Sequence, residues 1–338
     1  MFHHTALFPD ELWPRGVVVF GMGLLEGEKM SSSKGNIILL EDAVKRYGSD
    51  VVRLFLMGCA EPWQDFDWRS ELVETTGRKL KQYSELIRYS LGVDNSIVER
   101  DIDRWLLSRL HESVRETTEA LESFQIRKAL QHAFFEFIRH VNWYLRRCEP
   151  RAETLKEVAD TWIRLMAPFT PFTCEELWES AGNKELVSLS PYPVSVLDEI
   201  DEVVLAKEEL VKALMDDVRK ILEVTGSKPG KIHVYLAPDW KRLLYNELSS
   251  GKSMGDLMKN PELRVHGTEV ASIVKNTRVD EIPDLVFSLE QEFESFTSAK
   301  SFLEEVFGCS FILYRSPDYD PKNKAKASRP MRPGIYVE

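Results

Sequence analysis

The sequence predicts a mixed, mainly α protein, with an α/β front, a helical bundle in the middle and a small α/β domain at the end. Three observations predict it. Short β-branched and glycine-bounded runs alternate with helical stretches over the first 60 residues. Four or five amphipathic stretches then follow one another between 68 and 182. After residue 228 strand-like runs return, separated by helical ones.

At the front, "GVVVFG" (16–21) reads as a strand and "GLLEGEKM" as a second strand leading into a loop. "LEDAVKRYG" (40–48) reads as a short helix ended by Gly48, and "SDVVRLFLMGCA" as a more buried helix capped by Ser49 and Asp50. The bundle segments carry apolar stripes at helical spacing. The stripes are Leu72, Leu80, Tyr83, Leu86 and Ile87; then Trp105, Leu106, Leu110, Val114, Thr117 and Leu121; then Ile126, Leu130, Phe134, Phe137, Val141 and Leu145. In the fourth segment Pro168 and Pro171 enforce a break. An acidic amphipathic helix over 201–226 ends at Gly226. "KIHVYLA" (231–237) is a strand with alternation, helical pieces fill 239–277, and 289–308 is a helix. "SFILYR" (310–315) and "GIYVE" (334–338) are the last strands. The chain shows no internal repeat and no long low-complexity tract.

Composition narrows the function classes. Hydrophobic content of 43% and charged content of 29% are ordinary for a globular protein. No apolar run approaches the ~20 residues of a membrane span, and the first residues lack the pattern of a signal peptide, so a cytoplasmic protein is expected. Cys59, Cys148, Cys174 and Cys309 form no C-x-x-C pair, which argues for reduced thiols over a zinc knuckle or a disulfide framework. The net charge of −11 disfavours indiscriminate nucleic-acid binding, so any such ligand must meet local basic patches.

The chemistry concentrates in "GEKMSSSKGN" (27–36). Gly27 and Gly35 free the backbone, Ser31, Ser32 and Ser33 offer hydroxyls, and Lys29 and Lys34 offer cations. Such a loop suits a polyphosphate, although a solvated serine-rich loop has the same composition. It is not a Walker A loop, and "FGMGLLEG" has no third glycine where a dinucleotide fold needs one. The adjacent histidines at 3 and 4 point apart on a helix or a strand, so no metal site is expected. The stretch 125–148 carries Arg127, Lys128, Arg139, Arg146 and Arg147 against Glu136, a net +4. It is either a solvated face or a surface for a nucleic-acid backbone, and Trp143 and Tyr144 either stack on bases or pack in the core. "PKNKAKASRPMRPG" (321–334) holds Lys322, Lys324, Lys326, Arg329 and Arg332 and no acid. At +5 it has too little apolar surface to fold alone, and reads as a flexible loop ordering on RNA or as a solubilising hairpin loop.

"KMSSS" resembles the KMSKS signature of class I aminoacyl-tRNA synthetases, and "GEKMSSSKGN" resembles the leucyl enzymes of archaeal and eukaryotic type. Isoleucyl and valyl relatives usually carry Leu where this chain has Lys34. "SDVVRLFLM", "DFDWR" (65–69), "WYLRR" (143–147) and "RLMAPFTPFTCEELW" resemble further segments of that group, the last with Phe172 where His is common. The resemblance runs through the whole chain. It implies the end of a class I Rossmann-type catalytic domain with stem-contact helices (1–67), an anticodon-binding-type bundle (68–200), a connecting helix (201–227) and an α/β tRNA-binding domain (228–338).

It also implies roles. Lys29, Met30, Ser31, Ser32, Ser33 and Lys34 would bind ATP, with Lys29, Ser32 and Lys34 taking part in catalysis. The fourth motif position, usually a second lysine, is Ser32 here; either Lys34 supplies the missing cation or Ser32 donates a hydrogen bond. The basic residues of 125–148 and 321–334 would grip tRNA phosphates. Ile335, Val337 and Glu338 would meet the long variable arm of leucine tRNA. The HIGH signature, the editing domain and the amino-acid pocket find no counterpart in this sequence. The expectation is therefore the C-terminal portion of a leucine–tRNA ligase, with ATP and Mg²⁺ used by the complete enzyme, inactive without an N-terminal half in cis or in trans. A non-catalytic tRNA-binding module and an isoleucyl or valyl relative are the alternatives.

Overall fold

The computed structural model describes residues 9–13, 16–226, 228–277, 285–316 and 318–338; the histidines at 3 and 4 lie outside them. The chain divides into two units, one ending at Ile200 and the other running Asp201–Glu338.

The first unit opens on a three-stranded sheet ordered β2-β1-β3. Strands β1 (Gly23–Leu25) and β2 (Glu28–Lys29) form a hairpin, and β3 (Phe66–Trp68) lies parallel to β1 in the register Leu24↔Asp67. This corrects the single strand expected over "GLLEGEKM". Glu26 (φ 52°) and Gly27 (φ 87°) both take left-handed backbone, the two-residue turn whose twist suits a hairpin. The run Val17–Phe20, expected as a strand, is not one. A strand needs a neighbour to take its backbone groups. Among the described residues the first backbone bond to the rest of the unit, Gly21 N to Pro62 O at 2.9 Å, lies beyond its end.

Helices α1 (Leu40–Tyr47) and α2 (Ser49–Cys59) follow, with Gly48 (φ 89°) ending one and standing at the N-cap of the other. Asp50 does not cap its own helix, as the sequence suggested. Its carboxylate accepts from Thr173 N at 2.6 Å, in the first turn of a helix 123 residues on. Arg53, one turn further along α2, donates to Pro168 O (2.9 Å) and Phe169 O (3.3 Å), just past the end of the preceding helix. An acid thus meets a helix N-terminus and a cation meets a C-terminus, the favourable sense for both dipoles. Ala43, Val52, Phe55, Trp68 and Val73 form the core under the sheet, with Met30 and Tyr47 packed against it.

The bundle comprises α3 (Ser70–Gly92), α4 (Asp101–Glu122), α5 (Ile126–Leu130), α6 (Phe137–Arg147), α7 (Ala152–Met166) and α8 (Pro171–Ser180). A π-turn, Gln131–Glu136, joins α5 to α6. The carbonyls of the turn find side-chain donors: Ser113 Oγ reaches His132 O at 3.0 Å and Trp162 Nε1 reaches Ala133 O at 2.7 Å. Tyr83, Phe134, Phe137 and Trp162 meet at ring separations of 4.7–5.9 Å. The stripes hold with local slips. Val73 is buried where Leu72 was expected, and Leu72 is 50% exposed. Tyr144 takes the core place expected for Leu145 because its hydroxyl is satisfied there, by Asp103 and by Arg151 N.

In the second unit α9 (Glu202–Thr225), capped by Asp201, packs along α14 (Leu289–Phe307). It is part of this unit's core through Leu210, Val211, Leu214 and Met215. A sheet ordered β5-β4-β6 has β4 (Lys231–Tyr235) at its centre, parallel to β5 (Ser310–Tyr314) and antiparallel to β6 (Gly334–Val337). Ile232 to Tyr235 are all buried, so the expected alternation is replaced by burial on both faces, the pattern of a central strand. Short helices α10 (Asp239–Ser249), α11 (Met254–Leu257), α12 (Pro261–Val265) and α13 (Gly267–Asn276) pack around Leu244, Leu257, Leu263 and Val270.

Candidate functional site

The serine-rich loop is an ordered device. Met30 anchors it in the core beneath, and Met30 N donates to Gly23 O at 3.1 Å. Ser32–Lys34 form a single 3₁₀ turn closed by Gly35 (φ 72°), whose N–H reaches Ser32 O. Asn36 closes the loop from below. Its side-chain oxygen accepts from Ser31 N (3.0 Å) and its amide nitrogen donates to Lys29 O (3.1 Å). Ser31 and Ser33 pair through their hydroxyls at 2.9 Å. Lys29, Ser32, Ser33 and Lys34 are exposed, while Met30 and Ser31 are half-buried. Among the described residues neither lysine ammonium has an ion-pair partner. Backbone restraint with outward cations is the arrangement that can meet a phosphate chain without first breaking a salt bridge.

The segment 61–69 holds the hairpin in place. Asp67 Oδ1 accepts from Gly27 N at 2.9 Å and its other oxygen from Arg69 Nε at 2.7 Å. The Gly27 bond and then the Arg69 guanidinium pull the Asp67 carboxyl below the ordinary aspartate value. Asp65 accepts from Met22 N. Gly21 fits because it has no side chain: a Cβ there would lie 2.0 Å from Gln64 O. Glu61 spans to the bundle, where its two carboxylate oxygens take the N–H groups of Arg127 (3.1 Å) and Lys128 (3.0 Å) at the start of α5.

Of the basic residues in 125–148, Arg127, Lys128, Arg139 and Arg146 are exposed. Arg147 is only 7% exposed and belongs to the bundle's packing. Arg139 lies 3.6 Å from Glu136, and the Arg146 guanidinium lies 6.0 Å from the centre of the Trp143 ring.

In the second unit the lysines and arginines of 321–334 all point outward, but the backbone carrying them is held. The buried Lys241 ammonium donates to Lys326 O (2.8 Å) and Ser328 O (2.7 Å), and burial pulls its pKa down. Arg242 and Glu292 form a buried two-pronged pair at 2.8 and 2.9 Å, and Glu292 also accepts from Met331 N at 2.6 Å. The expectation of a flexible loop is therefore corrected: partners elsewhere in the unit supply the order that the segment's own composition cannot. Lys324, Arg329, Arg332 and Ile335 line a cleft of about 420 Å³ with Asp217 and Lys220. Ile335 and Val337 are strand residues of β6, and Glu338 carries the pairing on: its backbone oxygen accepts from Gly230 N and Lys231 N, and its carboxylate meets His233 at 3.0 Å. The chain end lies along a sheet edge.

Residues 1–85 match the family model of class I tRNA synthetases (M), and residues 103–236 match the anticodon-binding domain of tRNA ligase. Leucine–tRNA ligase of Methanothermobacter thermautotrophicus is 41% identical over the whole chain, which covers 38% of that protein. The Pyrococcus horikoshii enzyme is 40% identical with 36% covered, and that of Methanopyrus kandleri 41% with 37% covered. The chain is homologous to the C-terminal part of leucyl-tRNA synthetase. It spans 36–38% of the length of the curated relatives it matches. The anticodon-binding match crosses from the first unit into the second, through α9 to Leu236.

Sequence reasoning missed Asn36, Asp67 and the Arg242–Glu292 pair. Asn36 stood within the quoted loop, and a side-chain amide beside a glycine turn is a known loop-closing signal. Asp67 stood in a quoted segment too, but its target, Gly27, is 40 residues away. Nothing in the spacing of residues 242 and 292 announces their contact.

Proposed function

We propose that this chain is the C-terminal portion of a leucine–tRNA ligase, which activates leucine with ATP and transfers it to the 3′ end of leucine tRNA. The observation that carries the proposal is the loop 29–34, held by its backbone with both ammonium groups and the Ser32 hydroxyl directed outward. Lys29, Lys34 and Ser32 then face the ATP phosphates, with Met30, Ser31 and Ser33 shaping the loop. ATP and Mg²⁺ belong to the complete enzyme, and no residue of this chain is assigned to the magnesium. ATP supplies the nucleotidyl group, and this chain's part is to neutralise charge that builds on the phosphates in the transition state. The relatives, at 38–41% identity over the whole chain, are leucine–tRNA ligases, which disfavours an isoleucyl or valyl assignment.

The remaining half of the reaction centre, with the HIGH signature and editing domain, would dock on the front of the first unit. Val17 (74% exposed), Val19 (71%) and Phe20 (75%) support this, since among the described residues this β-branched run has no strand neighbour and presents an apolar edge. Leucine tRNA would be held through its phosphates by Arg127, Lys128, Arg139 and Arg146, and by Lys322, Lys324, Lys326, Arg329 and Arg332, with its variable arm against Ile335, Val337 and Glu338. No helix among the described residues is long and apolar enough to cross a membrane.

The test is complementation. The chain mixed with an N-terminal half should leucylate tRNA and should not do so alone; leucylation by the chain alone would defeat the division of labour. In the reconstituted enzyme Lys29→Ala should lower the adenylate-forming rate by about 10²-fold or more, the scale of losing one charge-stabilising donor. An unchanged rate would remove the loop from the chemistry.

A further inference from the structure

We propose that Glu116, His132 and Glu136 form a divalent transition-metal site of the zinc class, pinning the π-turn of the bundle to α4. The proposal does not depend on the synthetase reading. His132 Nδ1 lies 2.9 Å from a carboxylate oxygen of Glu116 and 2.9 Å from Glu136 Oε2, and the ligand atoms of all three residues fall within 4.8 Å of one another. One ring nitrogen carries at most one proton and can aim it along one line, so hydrogen bonding serves one carboxylate well and the other poorly. A cation between the three atoms serves all of them. Zinc-type bonds of about 2.0–2.2 Å require ligand atoms roughly 3.3–3.5 Å apart, so the two 2.9 Å separations from His132 would open by about half an ångström and the carboxylates would adjust to the same spacing.

The surroundings resemble the support that metal sites use. The second oxygen of Glu136 accepts from Gln131 Nε2 at 3.2 Å and has Arg139 at 3.6 Å, which leaves Oε2 for the cation. Ser113 holds the His132 carbonyl at 3.0 Å, fixing the backbone from which the ring projects. The π-turn places His132 and Glu136 on one side, and such turns gather at functional positions. The three side chains share the lining of a cavity of about 320 Å³, which leaves room for a water or a fourth ligand. An imidazole with two carboxylates favours zinc or manganese over magnesium, which prefers oxygen ligands and its own waters. Sequence spacing relates His132 to Glu136, four residues on, but not to Glu116, which stands on α4 with α5 between it and the π-turn.

The experiment is titration of the full chain, stripped with chelator, with Zn²⁺ and separately with Mg²⁺, followed by calorimetry and by melting temperature, with Co²⁺ absorption as a spectroscopic check. The expected result is one equivalent of Zn²⁺ bound, a raised melting temperature and no effect of Mg²⁺. His132→Ala should weaken binding by more than about 100-fold, and Gln131→Ala by about 10–100-fold as an outer partner. Glu116→Gln keeps the shape of the site and should also lose the Zn²⁺-dependent melting shift, so a folding defect in His132→Ala does not decide the matter. Absence of stoichiometric Zn²⁺ binding, or binding that survives both His132→Ala and Glu116→Gln, would overturn the site.

Discussion

At the scale of single residues, the shape of the loop depends on groups other than its own lysines. Asn36 makes two hydrogen bonds, to Ser31 N and Lys29 O, and Asn36→Ala removes both. At about 1–2 kcal/mol together, their loss should speed hydrogen exchange at the Ser31 amide by roughly 5–30-fold; an unchanged rate would show that the 3₁₀ turn stands without Asn36. Asp67 acts through its ionised form. With its pKa held below the ordinary value by Gly27 N–H and Arg69, its hold on the hairpin is fully present above the unfolded value. That hold fades only as pH falls through the depressed one. Exchange protection at Gly27 should therefore persist from neutral pH to below the usual aspartate range and then collapse, whereas Asp67→Asn should remove this pH step. Gly21→Ala should cost about 1–3 kcal/mol, because its methyl group would overlap the Gln64 carbonyl and the backbone must move.

At the scale of elements, α2 is the hinge-pin between the loop layer and the bundle. Its buried face packs under the sheet through Val52 and Phe55, and its Asp50 and Arg53 grip the break between α7 and α8. Pro168 and Pro171 remove backbone donors there and stop either helix from running on, which exposes the ends that α2 then satisfies. Asp50→Ala deletes a cap supplied from another element and should cost about 0.5–2 kcal/mol, measured by thermal or urea unfolding of the full chain. Asp50→Asn, which keeps an acceptor oxygen, should cost less; equal losses would place the effect in packing and not in the cap.

At the scale of the whole molecule, each of the two units carries its own basic surface and its own way of holding it. In the first, the exposed arginines ride on α5 and α6, whose bundle core sets their spacing. In the second, the buried Arg242–Glu292 pair and Lys241 hold a segment with little apolar surface. Breaking that pair by Arg242→Met should cost about 3–5 kcal/mol, since Glu292 would remain buried and unpaired. Arg242→Met combined with Glu292→Leu should recover most of it. Urea-dependent hydrogen exchange at the backbone amides of α10, where Trp240 stacks on His266 at 4.3 Å, reads both. If both basic sets meet phosphates, the logarithm of tRNA affinity should fall steeply and linearly with the logarithm of salt concentration. Neutralising Lys322, Lys324 and Lys326 together should then reduce that slope by about three. An unchanged slope would remove those lysines from the interface.

The sequence by itself determined the class of each region. Helical periodicity found the bundle, Gly48 and Gly226 ended their helices, and the prolines split α7 from α8, because these signals act within a few residues of one another. It also determined which donors the loop offers, since two lysines and three serines between glycines carry cations and hydroxyls whatever surrounds them. The tertiary structure alone decided what depends on distant partners. Val17–Phe20 has strand propensity yet gains no strand neighbour among the described residues. Arg147 has the same charge as Arg146 yet is buried, and the 321–334 segment is ordered by groups on other elements. A charge or a β-branched run states a preference locally; which backbone group or counter-ion answers it is set by chain segments that only folding brings within hydrogen-bond range.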